Sequence, residues 1–261
     1  MLGCFFILLS LWIGFIVEDK IKIMGPFFWA KLSCAVIIGT MLSTWLVLLI
    51  AFLCGFTVYS LVTSLAVMAC YSVYEKACNG RGITWFVRNI VIHPALSPTH
   101  ILLLLFIMPF FVWGVWETAA GDIVYRGNYT DLPYHLSIIS AFLEQNRFLP
   151  DNPQCTGALM SYHFMVNFHS AILCRGGFSL LASVVVPQVL FSFALASMIY
   201  FFFRTVLTRK ADVFFSSILL AAGHIASFNL LFAAMGYPPP GMHLDIVSWP
   251  VSYTHLRAHE T

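Results

Sequence analysis

An all-α fold, a polytopic bundle of about six transmembrane helices with two amphipathic helices in a long outer loop, is what this chain predicts. Three observations carry that expectation. Hydrophobic residues fill 60% of the 261 positions and charged residues only 9%. Mean hydropathy is +0.88, and the apolar residues gather in long runs. A soluble domain of this length needs far more charge to cover its surface, whereas a lipid-facing helix needs almost none and satisfies its backbone internally. The net charge of +2 says little about partners, and no nucleic acid is expected.

The runs define the elements in order. Crossing roughly 30 Å of hydrocarbon at about 1.5 Å per residue takes about 20 residues. Candidate spans are Leu2 to Val17, Leu32 to Leu53, Phe56 to Tyr74, Ile101 to Trp116, Leu180 to Phe203 and Ala211 to Ala234. The first is short, yet it lacks a basic leader and an A-x-A cleavage site, so it reads as an uncleaved span. The second and third are also compatible with one element broken at Cys54-Gly55. Lys20, Lys22 and Lys31 follow the first span, Lys76, Arg81 and Arg88 the third, and Arg204, Arg209 and Lys210 lie between the fifth and sixth. Placing those links in the cytoplasm satisfies the positive-inside rule throughout. The segment 117–179 then lies on the outer side, with three basic residues, Arg126, Arg147 and Arg175. The chain thus divides into residues 1–99, three spans and a cytoplasmic loop; residues 100–250, a membrane core with the outer loop; and residues 251–261. That last stretch, VSYTHLRAHET, back-translates to a sequence resembling a transposase adapter, so the natural sequence is expected to stop near Pro250 and to continue differently.

Chemistry is to be sought in the outer loop, which gathers Glu117, Asp122, Asp131, Glu144, Asp151, His135, His163 and His169. Residues 131–145, DLPYHLSIISAFLEQ, form an amphipathic helix at about 100° per residue, with Ile138, Phe142, Ile139, Leu132, Leu143 and Leu136 opposed by Ser140, Glu144 and Ser137. Asp131 lies at the edge of the apolar arc and His135 within it, one turn apart. A carboxylate there is partly desolvated, which raises its pKa unless a partner compensates. Capping of the helix by Asp131 or Thr130, with Pro133 in the first turn, is the plain structural alternative. A second helix is expected over 158–174, with His163, Asn167 and Ser170 forming a polar stripe at i, i+4 and i+7 and His169 on the opposite side. Polar groups so placed face protein or a wet cavity.

Other signals are weaker. Asp131 and His135 have the i, i+4 geometry of two metal ligands, and His163 could be a third, but neither HExxH nor paired cysteines support a divalent metal. Of seven cysteines, Cys4, Cys34, Cys54, Cys70 and Cys78 lie in or beside apolar runs, whereas Cys155 and Cys174 share the outer side and are a candidate disulfide. Asn128-Tyr129-Thr130 matches a glycosylation triplet, and His224 interrupts the sixth span.

The stretch GNYTDLPYHLSIISAFLEQNRFLPDNPQCTGALMSYHFMVNFHSAIL, with Gly-Phe-Ser leading into the next span, resembles the first outer loop of GT-C class membrane glycosyltransferases. The likeness covers about residues 100 to 234. It implies transfer of a sugar from a polyprenyl-phosphate donor to an acceptor on the outer face of a bacterial plasma membrane, with inversion and with a loop aspartate as base. Asp131 takes that role with His135 beside it, and Asp122, in GDIVY, is the rival. Leu132 stands where many members have a second acidic residue. Arg147, His163 and Asn167 are the candidates for binding the departing lipid phosphate, and no cofactor is required. A carrier or flippase for a lipid-linked substrate, and a non-enzymatic assembly factor, are the alternatives. A carrier would collect its ionisable groups at the membrane midplane and an enzyme of this class in its outer loops.

Overall fold

A computed structural model describes residues 1–22, 27–82, 97–112, 115–117, 123–125, 131–145, 148–160 and 163–222. Helix dominates. The elements are α1 (Leu2–Ile21), α2 (Phe28–Cys54), α3 (Val58–Asn79), α4 (Pro98–Val112), β1 (Val115–Glu117), β2 (Ile123–Tyr125), α5 (Asp131–Gln145), β3 (Asp151–Asn152), β4 (Cys155–Leu159), α6 (Met165–Arg175), α7 (Leu180–Val206) and α8 (Lys210–Ala222). Among the described residues, α1, α2, α3 and α7 are long and apolar enough to cross a membrane. Helix α4 has 15 residues and the described part of α8 has 13, each short of a full crossing.

Local chemistry sets the ends. Gly55 separates α2 from α3, so the alternative of one broken element resolves into two helices. Thr57 opens α3 with a reciprocal capping box to Ser60, and Gly80 at φ 66° closes it by donating its N–H to Glu75 O. Ser179 opens α7 by accepting from the Ala182 N–H at 3.2 Å. The helix continues past Pro187, whose missing N–H leaves the carbonyl one turn back without its helical donor.

Packing is closest between α1 and α2, and glycine makes that approach possible. A Cβ on Gly14 would sit 2.0 Å from Ala35 O, and one on Gly39 would sit 2.0 Å from Ser10 O. Both obstacles are backbone, so neither can swing aside. Small residues let helix axes come together in lipid, where there is no hydrophobic force between them. Across the same seam the Ser10 and Ser43 hydroxyls share a 2.7 Å hydrogen bond.

The two ends of the bundle differ in chemistry. At the end of α1, Lys20 pairs with the fully buried Glu75 of α3, Arg81 lies 3.3 Å from Glu75 Oε2, and Arg81 lies 3.1 Å from Asp19 Oδ2. At the start of α1, the Gly3 N–H donates to Gly176 O at 2.9 Å, tying α1 to the link between α6 and α7. The segment expected on the outer side therefore packs at the end opposite to the ion pairs.

Two expectations of secondary structure are corrected. The fourth expected span stops at Val112, and Val115–Glu117 pairs antiparallel with Ile123–Tyr125. The second amphipathic helix starts at Met165, seven residues later than expected, because 155–159 is a strand paired with 151–152. Asn152 Oδ1 accepts from the Gln154 N–H at 3.0 Å, and Gly157 takes φ 85°. That side-chain turn diverts the chain into a hairpin before the helical pattern can propagate.

Candidate functional site

Asp131 is the first residue of α5, and the helix runs over the expected 131–145. Its buried face is the expected one. Ile138, Ile139 and Phe142 are fully enclosed, and Phe142 packs against Phe56, Phe164 and Phe168 at ring separations of 6.2, 5.6 and 5.1 Å. This aromatic cluster joins α5, α6 and the α2–α3 link and sets the rotation of α5. The half-buried His135 is thereby turned toward α6, where its Nδ1 lies 3.0 Å from Asn167 Oδ1.

Asn167 is 3% exposed, and its Nδ2 has no hydrogen-bond partner among the described residues. A buried amide N–H left unpaired costs about 1–3 kcal/mol. The fold carries that cost beside a histidine that stands one turn after a carboxylate-bearing residue.

His163 lies outside the helix and is exposed, so the expected stripe of His163, Asn167 and Ser170 does not form on α6. The stripe assumed a helix with one enclosed face. Instead every residue from Asn167 to Leu173 is buried, because α5, α1, α2 and α7 surround α6. Asp122, Arg147, His224 and the triplet 128–130 lie outside the described residues, as do residues 251–261. Among the described residues, no three His, Cys, Asp or Glu side chains stand where they could hold one metal ion. Cys155 and Cys174 are both free thiols, the first exposed and the second half-buried, with burial pushing the Cys174 thiol up from its ordinary pKa.

Two residues near the site were not singled out from sequence. Arg175, at the end of α6, directs Nη2 to Leu143 O at 2.8 Å, Phe56 O at 3.2 Å and Phe142 O at 3.4 Å. Its guanidinium lies 5.1 Å from the Phe56 ring centre. It thus occupies the orphan carbonyls at the end of α5 and binds them to the α2–α3 link. Burial lowers its pKa below the usual guanidinium value. The available signal was a lone arginine closing an apolar helix.

His169, set aside on the helical wheel, is 7% exposed and shares a 2.9 Å hydrogen bond between Nδ1 and Thr44 Oγ1 of α2. Burial lowers its pKa to about 4, so the ring is neutral. Together with Ser10, Thr40 and Pro187 it lines a narrow crevice between α1, α2 and α7. A threonine within a long apolar run was the sequence trace of this contact.

Comparison of the chain with protein-family models, with curated proteins and with solved structures finds no match.

Proposed function

We propose that this membrane protein belongs to a glycosyltransferase that moves a sugar from a polyprenyl-phosphate donor to an acceptor hydroxyl on the outer face of a bacterial plasma membrane. The observation that carries the reading is the α5–α6 pair. It packs against the membrane helices, and His135 of α5 is bonded to the enclosed Asn167 of α6 one turn from Asp131. Such a pair offers a fixed polar face where a lipid-borne substrate meets water.

The chemistry asks for few groups. A hydroxyl is a poor nucleophile, and a carboxylate within hydrogen-bond reach takes its proton as the bond to the anomeric carbon forms. Asp131 has that role, and Asp122 is the rival. The departing phosphate is already an anion, so it needs donors or positive charge, for which Arg147, His163 and Asn167 are the candidates in the loop. The carrier reading draws less support. Among the described residues, Asp19, Lys20, Glu75 and Arg81 cluster at one end of the bundle, away from its middle.

The test is Asp131→Asn, expressed from the complete gene and assayed in proteoliposomes with a polyprenyl-phosphate sugar. Asparagine keeps the shape and caps a helix well, so folding is retained while turnover falls about 10² to 10⁴-fold, the usual worth of a general base. Near-normal transfer rejects Asp131 as the base.

A further inference from the structure

The crevice between α1, α2 and α7 lies at mid-depth in the bundle: Ser10 and Leu11 stand near the centre of α1, and Thr40 near the centre of α2. Hydrocarbon offers a polar group nothing to bond with, so each polar atom there needs a partner inside the protein. Three polar side chains line the crevice without being fully served. His169, brought in by α6 and 7% exposed, spends Nδ1 on Thr44 Oγ1 at 2.9 Å, and its other ring nitrogen has no partner among the described residues. The Thr40 hydroxyl has none among them either. The Ser10 hydroxyl directs its one proton to Phe6 O and Ser43 Oγ, so it has only lone pairs left to offer. Leaving a buried polar group unpaired costs about 1–3 kcal/mol.

Size and valence select what completes these bonds. The free volume in the crevice is about 10 Å³, about the space one water molecule needs, which excludes a sugar, a lipid headgroup or any other organic group. No lining residue carries a carboxylate, so the crevice does not offer the oxygen cage of a hard cation. Water suits either form of the neutral ring. If the free ring nitrogen bears the proton, it donates to the water, which donates in turn to Thr40 and Ser10. If that nitrogen bears the lone pair, the water donates to it and to Ser10 and accepts from Thr40. Each case gives about three hydrogen bonds, the usual number for a buried water.

We propose that the crevice is a binding site for a single water molecule, which joins His169 of the outer segment to Ser10 of α1 and Thr40 of α2 inside the membrane bundle. The water makes α6 a fixed part of that bundle, since it adds a second polar link to the one between His169 and Thr44.

The experiment is a crystal structure of the whole chain grown in a lipid mesophase, at a resolution that shows ordered water. One water lies within hydrogen-bond distance, about 2.6–3.2 Å, of the free His169 nitrogen and of the Ser10 and Thr40 hydroxyls. A crevice without density while other enclosed waters are visible overturns the proposal, and so does a water that touches the hydroxyls but not His169. Thr40→Val keeps the shape and removes one partner. In nanodiscs it should quicken amide exchange across 167–173 at least threefold, while Thr40→Ser, which keeps the hydroxyl, leaves the exchange near the wild-type rate. Equal exchange in Thr40→Val and the wild type also overturns the joint. Should Thr40→Val fail to fold, the wild-type density and the Thr40→Ser protein decide.

Discussion

Replacing Gly39 by alanine tests whether the α1–α2 seam is set by backbone contact. The new methyl would lie 2.0 Å from Ser10 O and 2.7 Å from Ser10 C, both main-chain atoms of the facing helix. Carbon needs about 3.5 Å for ordinary contact, so the helices must part locally by about 1.5 Å. That movement stretches the 2.7 Å bond between Ser10 and Ser43 past the limit of a hydrogen bond. Overpacking costs about 1–3 kcal/mol and an interhelical hydrogen bond in a membrane about 0.6 kcal/mol, so Gly39→Ala should lose about 2–4 kcal/mol. The assay is reversible unfolding in mixed micelles, titrated with a denaturing detergent. Met41→Ala, two residues on and 52% exposed, is the control and should shift the curve little. An unchanged midpoint for Gly39→Ala would refute the argument, since it would mean that the helices do not approach as closely as the glycines permit.

Arg175→Gln should lower stability by about 2–3 kcal/mol, the worth of one or two hydrogen bonds from a charged donor, and amide exchange at the end of α5 should quicken. His169 is neutral in the fold with a pKa of about 4 against 6.5 for the exposed ring, so below pH 6.5 the unfolded chain binds a proton that the folded chain refuses. The contribution of His169 is full above that pH, falls by about 3 kcal/mol as the pH drops toward 4, and levels off below; His100, lowered by burial to the same value, adds its own loss, so His169→Leu should lessen the slope across that window by about half. Cys155 should react with a maleimide at least tenfold faster than Cys174, whose thiol is half-buried and raised in pKa; equal rates would contradict that difference.

The sequence by itself determined what depends on sums over neighbouring residues. Membrane character follows from mean hydropathy, and the starts and ends of α2, α3 and α7 fall close to the edges of apolar runs, because burial in lipid is a property of each helix separately. Helix α5 was legible to the residue, since its apolar arc, Asp131 at its head and Pro133 in its first turn all point to one start. Only the tertiary structure decided what depends on which atoms meet across the chain. A helical wheel assumes one enclosed face, and α6 is enclosed on all sides, so His169 is set on Thr44 at a sequence distance of 125 residues, which no local pattern encodes. The hairpin 151–159 overrode helical periodicity because one asparagine side chain made a turn cheaper than continuing the helix. The same holds for the candidate site. Its residue types and one-turn spacing were readable, but the partnership of His135 with Asn167 exists only because an aromatic cluster rotates α5 against α6.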